Sequence, residues 1–240
     1  MVIRLMKNKK QYEILEFNGL PGSGKSTITS KLINEFKLEN KVVLSEKDIF
    51  VQTKTLMKML EFAKGFFDVR SAKLNCALLT IGIKASIKSR KFNNIQNAIK
   101  MVRYSFLLRE RTSNIRFDVI CLSEGLMQFI YCMYDGVEFF KSNELEILIC
   151  EINKLHKNLL MINCYISKDE ALRRLRTRAL KSNTIDLLSE KEQVEFLELR
   201  NRNMKKIREC TQYTFDSFEI NGLEDVEKNV SDVLSISKSR

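Results

Sequence analysis

The sequence predicts an α/β fold, in which one parallel sheet of five strands is flanked by helices within a single domain of residues 1–240. Five short strand-like apolar segments alternate with longer segments whose apolar residues recur at helical spacing, as expected of parallel strands joined by helices. A glycine-rich turn separates the first strand from the first helix. With 8 glycines and 1 proline, the chain has no linker-like stretch that would divide it.

The strand predictions rest on short runs of β-branched, aromatic and other apolar residues. The predicted strands are residues 12–17, 41–45, 117–123, 159–167 and 213–220. The predicted helices carry apolar residues three and four positions apart. They are residues 27–38, 55–67, 71–89, 93–111, 190–208 and 223–235. The three helices that fall within residues 49–116 form an insertion between the second and third strands. This insertion is a candidate substrate-binding region, and the alternative is a helical elaboration without that role.

The glycine-rich turn, residues 19–26, matches the phosphate-binding pattern G-x-x-x-x-G-K-[ST] at every fixed position. Its glycines let the backbone curl so that N–H groups and the start of the next helix face an anion. Lys25 would reach the β- and γ-phosphates of ATP, and Ser26 would offer its hydroxyl to Mg²⁺. The residues predicted to hold the nucleotide are Gly19, Pro21, Gly22, Ser23, Gly24, Lys25, Ser26 and Thr27.

Acidic residues follow two of the predicted strands. Glu124 stands just beyond residues 117–123 and is predicted to serve the metal together with Ser26, because a carboxylate at a strand end can hold its water shell. After the second strand come Glu46 and Asp48. One of them would orient the acceptor during phosphoryl transfer, with Asp48 the first candidate and Glu46 the second. The alternative is that these acids only begin helices, where negative charge is favoured.

A basic segment follows the fourth strand. Arg174 and Arg178 lie four positions apart on one predicted helical face, and planar guanidinium groups can clamp phosphate oxygens. We predict that residues 168–190 form this arginine helix and a lid, with the polar residues 181–184 closing over the nucleotide. Pairing of Arg174 with Glu170 is the structural alternative. The charge pattern of the next helix, residues 190–208, indicates a solvated face.

Composition excludes some functional classes. The six cysteines are scattered and the chain has one histidine, so neither a zinc site nor a disulfide framework is expected. The absence of a long apolar run argues against a membrane partner and for a cytoplasmic protein. The formal charge of +11 is spread along the chain, so nucleic-acid binding stays open but is not favoured.

The chain resembles the nucleoside and nucleotide kinases of the phosphate-loop class. It looks most like their thymidylate kinase-like branch. The resemblance rests on the motif of residues 19–26, the strand-end Glu124-Gly125 and the helix that carries Arg174 and Arg178. The resemblance implies the three-layer phosphate-loop NTPase fold with strand order 2-3-1-4-5. It also implies that the arginine segment is a lid and that substrate binds under the inserted helices.

The leading hypothesis is therefore an ATP- and Mg²⁺-dependent kinase of a small-molecule acceptor, preferably a nucleoside or nucleoside monophosphate. Residues 44–48 are more similar to kinases of small hydroxyl compounds, so an antibiotic or sugar nucleotide stays open as acceptor. A polynucleotide 5′-hydroxyl kinase or nucleic-acid-dependent ATPase is the second hypothesis, and a nucleotide-binding switch is the third. Association into a homodimer is also left open.

Overall fold

The computed structural model describes residues 13–50, 55–138, 142–177 and 184–239. Five strands form one sheet within these residues, in the order β2-β3-β1-β4-β5, and every neighbouring pair is parallel. The strands are β1 (Glu13–Gly19), β2 (Val43–Ser45), β3 (Val119–Leu122), β4 (Leu159–Tyr165) and β5 (Asp216–Asn221). The predicted fold class and strand order are confirmed.

Helices join the strands and cover both faces of the sheet. They are α1 (Lys25–Leu38), α2 (Glu46–Ile49), α3 (Thr55–Phe66), α4 (Ala72–Ser89), α5 (Asn93–Asn114), α6 (Leu126–Met133), α7 (Ser142–Leu155), α8 (Lys168–Thr177), α9 (Glu190–Thr211) and α10 (Val226–Ser239). Short 3₁₀ helices occupy Val69–Ser71 and Thr184–Leu187. The predicted insertion between the second and third strands is α2 to α5. No helix of the described residues has both the length and the apolar character needed to cross a membrane.

All five strands differ in extent from the prediction: β2, β3 and β4 are shorter than predicted, and β1 and β5 are shifted towards the C-terminus. The first strand continues to Gly19, since Asn18 and Gly19 pair with β4. The fifth strand starts at Asp216 rather than at residue 213, because the chain first closes a turn at the end of α9. In that turn the N–H groups of Thr214 and Phe215 donate to the Thr211 carbonyl oxygen at 2.9 and 2.8 Å.

The central strand β1 is buried on both faces, which explains its nearly continuous apolar sequence. Ile14 packs into a cluster with residues of α4 to α7, whereas Leu15 and Phe17 pack on the other face with α1 and α10. Because β1 and β3 are adjacent and parallel, the segments that follow their carboxyl ends lie side by side. These segments are the glycine loop, residues 19–26, and the turn of residues 123–125.

Candidate active site

A cleft of about 1240 Å³ opens at the carboxyl ends of β1 and β3. Four parts of the fold form its walls: the glycine loop, the start of α5, the 123–125 turn with α6, and the face of α9. All the residues predicted to hold the nucleotide line it, namely Gly19, Pro21, Gly22, Ser23, Gly24, Lys25, Ser26 and Thr27. Of the other predicted site residues that the structure describes, Glu124 and Arg174 also line the cleft, whereas Glu46 and Asp48 do not.

The glycine loop has the backbone shape of an anion cradle. Gly22 and Gly24 have φ angles of 86° and 88°, which side-chain-bearing residues rarely adopt. Gly24 immediately precedes α1 and has no side chain that could cap it. The first-turn N–H groups of α1 consequently face the cleft region in which an anion would be held, and the helix dipole adds to the attraction.

Lys25 is folded back over the loop. Its ammonium group donates to the carbonyl oxygens of Gly19 and Leu20 at 2.8 and 3.1 Å. These carbonyl contacts hold the positive charge of Lys25 beside the glycine loop.

Arg174 joins three parts of the site. Its guanidinium donates to Glu170 at 2.6 Å, to the Gly22 carbonyl oxygen at 3.3 Å and to the Gly222 carbonyl oxygen at 2.9 Å. Hydrogen bonds from Arg173 and Arg174 lower the pKa of Glu170 to about 2. Arg174 thus makes the Glu170 contact that the structural alternative required, and it also lies against the glycine loop. Arg178 and most of the predicted lid, residues 178–183, lie outside the described residues.

The two acids after β2 have different surroundings. Glu46 accepts hydrogen bonds from the Glu124 N–H and from the Ser123 hydroxyl, the latter at 3.2 Å, so it is attached to the turn that lines the cleft. Burial raises the pKa of Glu46. Asp48 instead accepts from the N–H and hydroxyl of Ser45 at 2.7 and 2.6 Å, closing a capping box at the start of α2. Those bonds lower the pKa of Asp48.

Glu124 and Ser26 fit a magnesium ion by their chemistry. Both line the cleft and both offer oxygen, the donor that Mg²⁺ prefers. Within the described residues no group of three or more histidine, cysteine, aspartate or glutamate side chains forms a metal cage. Two protein oxygens suffice for Mg²⁺, because it usually keeps several waters and also binds phosphate oxygens.

The far end of the cleft is rich in amide side chains. They come from α5 and α6, and they are Asn93, Asn94, Gln96, Asn97 and Gln128. Amides both donate and accept hydrogen bonds, and Lys91, Lys100, Arg200 and Arg202 line the same cleft, so its lining offers both hydrogen-bonding groups and positive charge.

Arg200 of α9 closes this end of the cleft and was missed by sequence reasoning. Its side chain is 6% exposed, donates to Asp135 at 2.8 Å, and lies 5.5 and 5.0 Å from the rings of Tyr131 and Phe196. The interpretation of residues 190–208 as a solvated face was therefore wrong for this side of the helix. The sequence did not indicate the burial of Arg200, because its partner Asp135 lies 65 residues away.

A buried acid beneath the 123–125 turn was also missed. Glu16 of β1 is fully buried, and its two carboxylate oxygens accept from the N–H groups of Leu126 and Met127 at 3.0 and 2.6 Å. Burial raises the pKa of Glu16 to about 7. The available sequence signal was an acid in the middle of a strand whose flanking residues are apolar.

The same architecture occurs in a solved structure of known activity. Deoxyadenosine kinase from M. mycoides, solved with dCMP and dCDP, superposes with a TM-score of 0.51 at 15% sequence identity, over 95% of this chain and 100% of that one. The chain shares the fold of that protein. Shikimate kinase from Bacteroides thetaiotaomicron matches with a TM-score of 0.47 at 12% identity, over 94% of this chain and 98% of that one.

No protein-family model matches the sequence, and neither does any curated protein. At 15% identity the likeness establishes the fold and leaves the function to be inferred from the cleft itself.

Proposed function

We propose that this protein is an ATP- and Mg²⁺-dependent kinase that transfers the γ-phosphoryl group of ATP to a small acceptor, preferably a nucleoside or nucleoside monophosphate. One observation carries the proposal. The glycine loop with Lys25 and Arg174 shares a single cleft with Glu124 and with an amide-rich wall large enough for a second ligand.

The nucleotide end would work by electrostatics and positioning, as phosphoryl transfer requires. Lys25 and the loop N–H groups bind the outer phosphates. Arg174, already held against Gly22, neutralises charge that grows on the transferred group. Mg²⁺, held through Ser26, Glu124 and its waters, would supply further charge neutralisation at the phosphate oxygens.

At the acceptor end, Glu46 is better placed than Asp48 to orient an attacking hydroxyl. Its carboxylate is bonded to the turn that carries Glu124, and burial raises its pKa, which makes it a stronger proton acceptor than an ordinary carboxylate. Asp48 instead accepts two hydrogen bonds from Ser45, and these fix the start of α2. We therefore assign acceptor orientation to Glu46 and a helix-capping role to Asp48.

The amide-rich wall supports the acceptor class. A nucleobase carries donors and acceptors on one edge, which amides can match. A thymidylate kinase-like acceptor, a nucleoside monophosphate, remains within this class, since Lys91 and Lys100 also line the cleft.

The first test is a transfer screen with γ-labelled ATP over nucleosides, nucleoside monophosphates, sugars, shikimate-like polyols and oligonucleotides. We expect a nucleoside or nucleoside monophosphate to gain the label. Labelling of oligonucleotides alone would favour the polynucleotide kinase, and ATP hydrolysis without any labelled acceptor would contradict the proposal.

The matched variant is Lys25→Ala, which should lower the transfer rate by about 1000-fold or more, because the ammonium charge stabilises the transition state. Lys31→Ala is the control, since this lysine lies on the same helix but pairs on the surface with Glu227. Transfer that survives in Lys25→Ala would refute the assignment of the nucleotide site.

A further inference from the structure

Glu16 is an unexpected residue for its place in the fold. It lies on the central strand β1, between Leu122 of β3 and Met161 of β4 in the sheet register. Among the described residues it is the one acid that is fully buried. A buried carboxylate is costly, so its position calls for specific partners.

Its partners are backbone groups of α6. The Leu126 and Met127 N–H groups are the first two of that helix, and each donates to a different carboxylate oxygen of Glu16. Gly125, at the N-cap position, has no side chain that could do this. The sheet therefore supplies the cap that a helix normally draws from its own preceding residue.

The glycine at 125 is the complement of this arrangement. A Cβ atom there would lie 2.3 Å from the carboxyl carbon of Glu16, which is far inside any contact distance. A serine or aspartate at 125 would cap α6 from within the turn at less cost, but it cannot coexist with Glu16. The pair of Glu16 and Gly125 replaces that local cap with a link to the sheet.

The link connects the two halves of the nucleotide site. Glu16 precedes Gly19 on β1 by three residues, and Leu126 follows Glu124 by two. The Ser123–Gly125 turn is bonded to Glu46 on its other side, through the Glu124 N–H and the Ser123 hydroxyl. Two acids thus fix the backbone that carries the Glu124 carboxylate.

We propose that Glu16 is a positioning residue, which fixes the Glu124 carboxylate relative to the glycine loop so that Ser26 and Glu124 can serve the same metal ion. The inference rests on the proposed nucleotide site. It adds a residue that contacts neither the nucleotide nor the metal.

The test measures ATP binding by calorimetry with Mg²⁺ and with EDTA, so it does not depend on turnover. Glu16→Gln keeps the side-chain volume but replaces one accepting oxygen with an NH₂ group that faces a backbone N–H. We expect the Mg²⁺-induced gain in ATP affinity to fall by about 10-fold or more, as for other residues that orient metal ligands, while binding in EDTA changes little. Glu13→Gln, the same change at the other end of β1, is the control and should bind like the wild type.

A double-mutant cycle separates positioning from general stability. If Glu16 acts through Glu124, then Glu16→Gln causes little further loss in a Glu124→Gln background. Three results would each overturn the proposal. The first is that the losses of affinity in the two single mutants multiply in the double mutant. The others are that Glu16→Gln gains ATP affinity with Mg²⁺ as much as the wild type does, or that the wild type gains none.

Should Glu16→Gln fail to fold, Gly125→Ala tests the same contact from its other side and should reduce the Mg²⁺-induced gain similarly; an unchanged gain would count against the proposal. If the wild type binds ATP with Mg²⁺ but phosphorylates no acceptor, the kinase function fails while the cycle still decides the role of Glu16.

Discussion

At the scale of single residues, burial sets the charge of an ionisable side chain. His156, the one histidine of the sequence, is 4% exposed, and its Nε2 atom lies 3.1 Å from the Ser105 hydroxyl oxygen. Burial, helped by the charge of Arg109, lowers the pKa of His156 to about 3. The imidazole is therefore neutral in the folded protein at neutral pH and packs as part of the interior.

This burial predicts a pH dependence of stability. Below the ordinary histidine pKa of about 6.5, the unfolded chain takes up a proton that the folded protein refuses, so the free energy of unfolding falls as the pH falls towards 3. Between pH 7 and pH 5 the loss due to His156 should be about 2 kcal/mol. Urea unfolding at both pH values measures this. The free energy of unfolding of His156→Gln should fall by about 2 kcal/mol less than that of the wild type between pH 7 and pH 5. Equal losses in both proteins would show that His156 is not protected from protons.

At the scale of elements, short caps decide which acid is free to take part in chemistry. The four-residue helix α2 places Glu46 and Asp48 two positions apart, so they point in different directions from one turn. The Ser45–Asp48 capping box fixes the helix start and leaves Glu46 directed at the 123–125 turn. A local hydrogen bond thereby separates two acids that the sequence presents as equivalent.

Mutations of Asp48 and Glu46 should affect kcat very differently. Asp48→Ala should lower the free energy of unfolding by about 1 kcal/mol through loss of the cap and change kcat by less than about 3-fold. Glu46→Gln should lower kcat by about 100-fold, and it should also lower the free energy of unfolding by about 1 kcal/mol, because an acceptor for the Glu124 N–H or the Ser123 hydroxyl is lost. Transfer assays and urea unfolding of the two variants check this. A larger kcat loss in Asp48→Ala than in Glu46→Gln would reverse the assignment.

At the scale of the whole molecule, the sheet order creates the cleft. With β1 between β3 and β4, the glycine loop lies next to both the 123–125 turn and the start of α8, which follow those strands. The apolar clusters on the two sheet faces leave the carboxyl end of the sheet as the place where polar side chains meet. Ligands of open parallel sheets bind at this end for the same reason.

Such a cleft predicts that ligand binding stabilises the entire domain. Mg²⁺-ATP at 100 times its dissociation constant should add about 2.7 kcal/mol to the free energy of unfolding, which for a chain of this size raises Tm by about 5–10 °C. Thermal unfolding with and without Mg²⁺-ATP measures this, and Lys25→Ala should lose most of the shift while Lys31→Ala keeps it. A wild type with unchanged Tm at saturating nucleotide would contradict the predicted site.

Much of the fold could be predicted because its signals are local. Helical spacing in residues 55–111 predicted α3, α4 and α5 to within a few residues, and the glycine pattern predicted the loop that follows β1. Arg200 and Glu16 could not be predicted in the same way. Their partners lie 65 residues away at Asp135 and 110 residues away at Leu126, and no local pattern reports a contact at such a separation.

The sequence alone determined the five strands in chain order, the helices other than α2, α6 and α7, the glycine loop with Lys25, and the acids and arginines that follow the strands. These depend on propensity, periodicity and short motifs, which act over a few residues. Only the tertiary structure decided that Glu46 joins the 123–125 turn while Asp48 caps a helix, that Arg200 faces the cleft, and that Glu16 caps α6 from the sheet. Each of these depends on which strand ends become neighbours, and packing of the complete sheet fixes that.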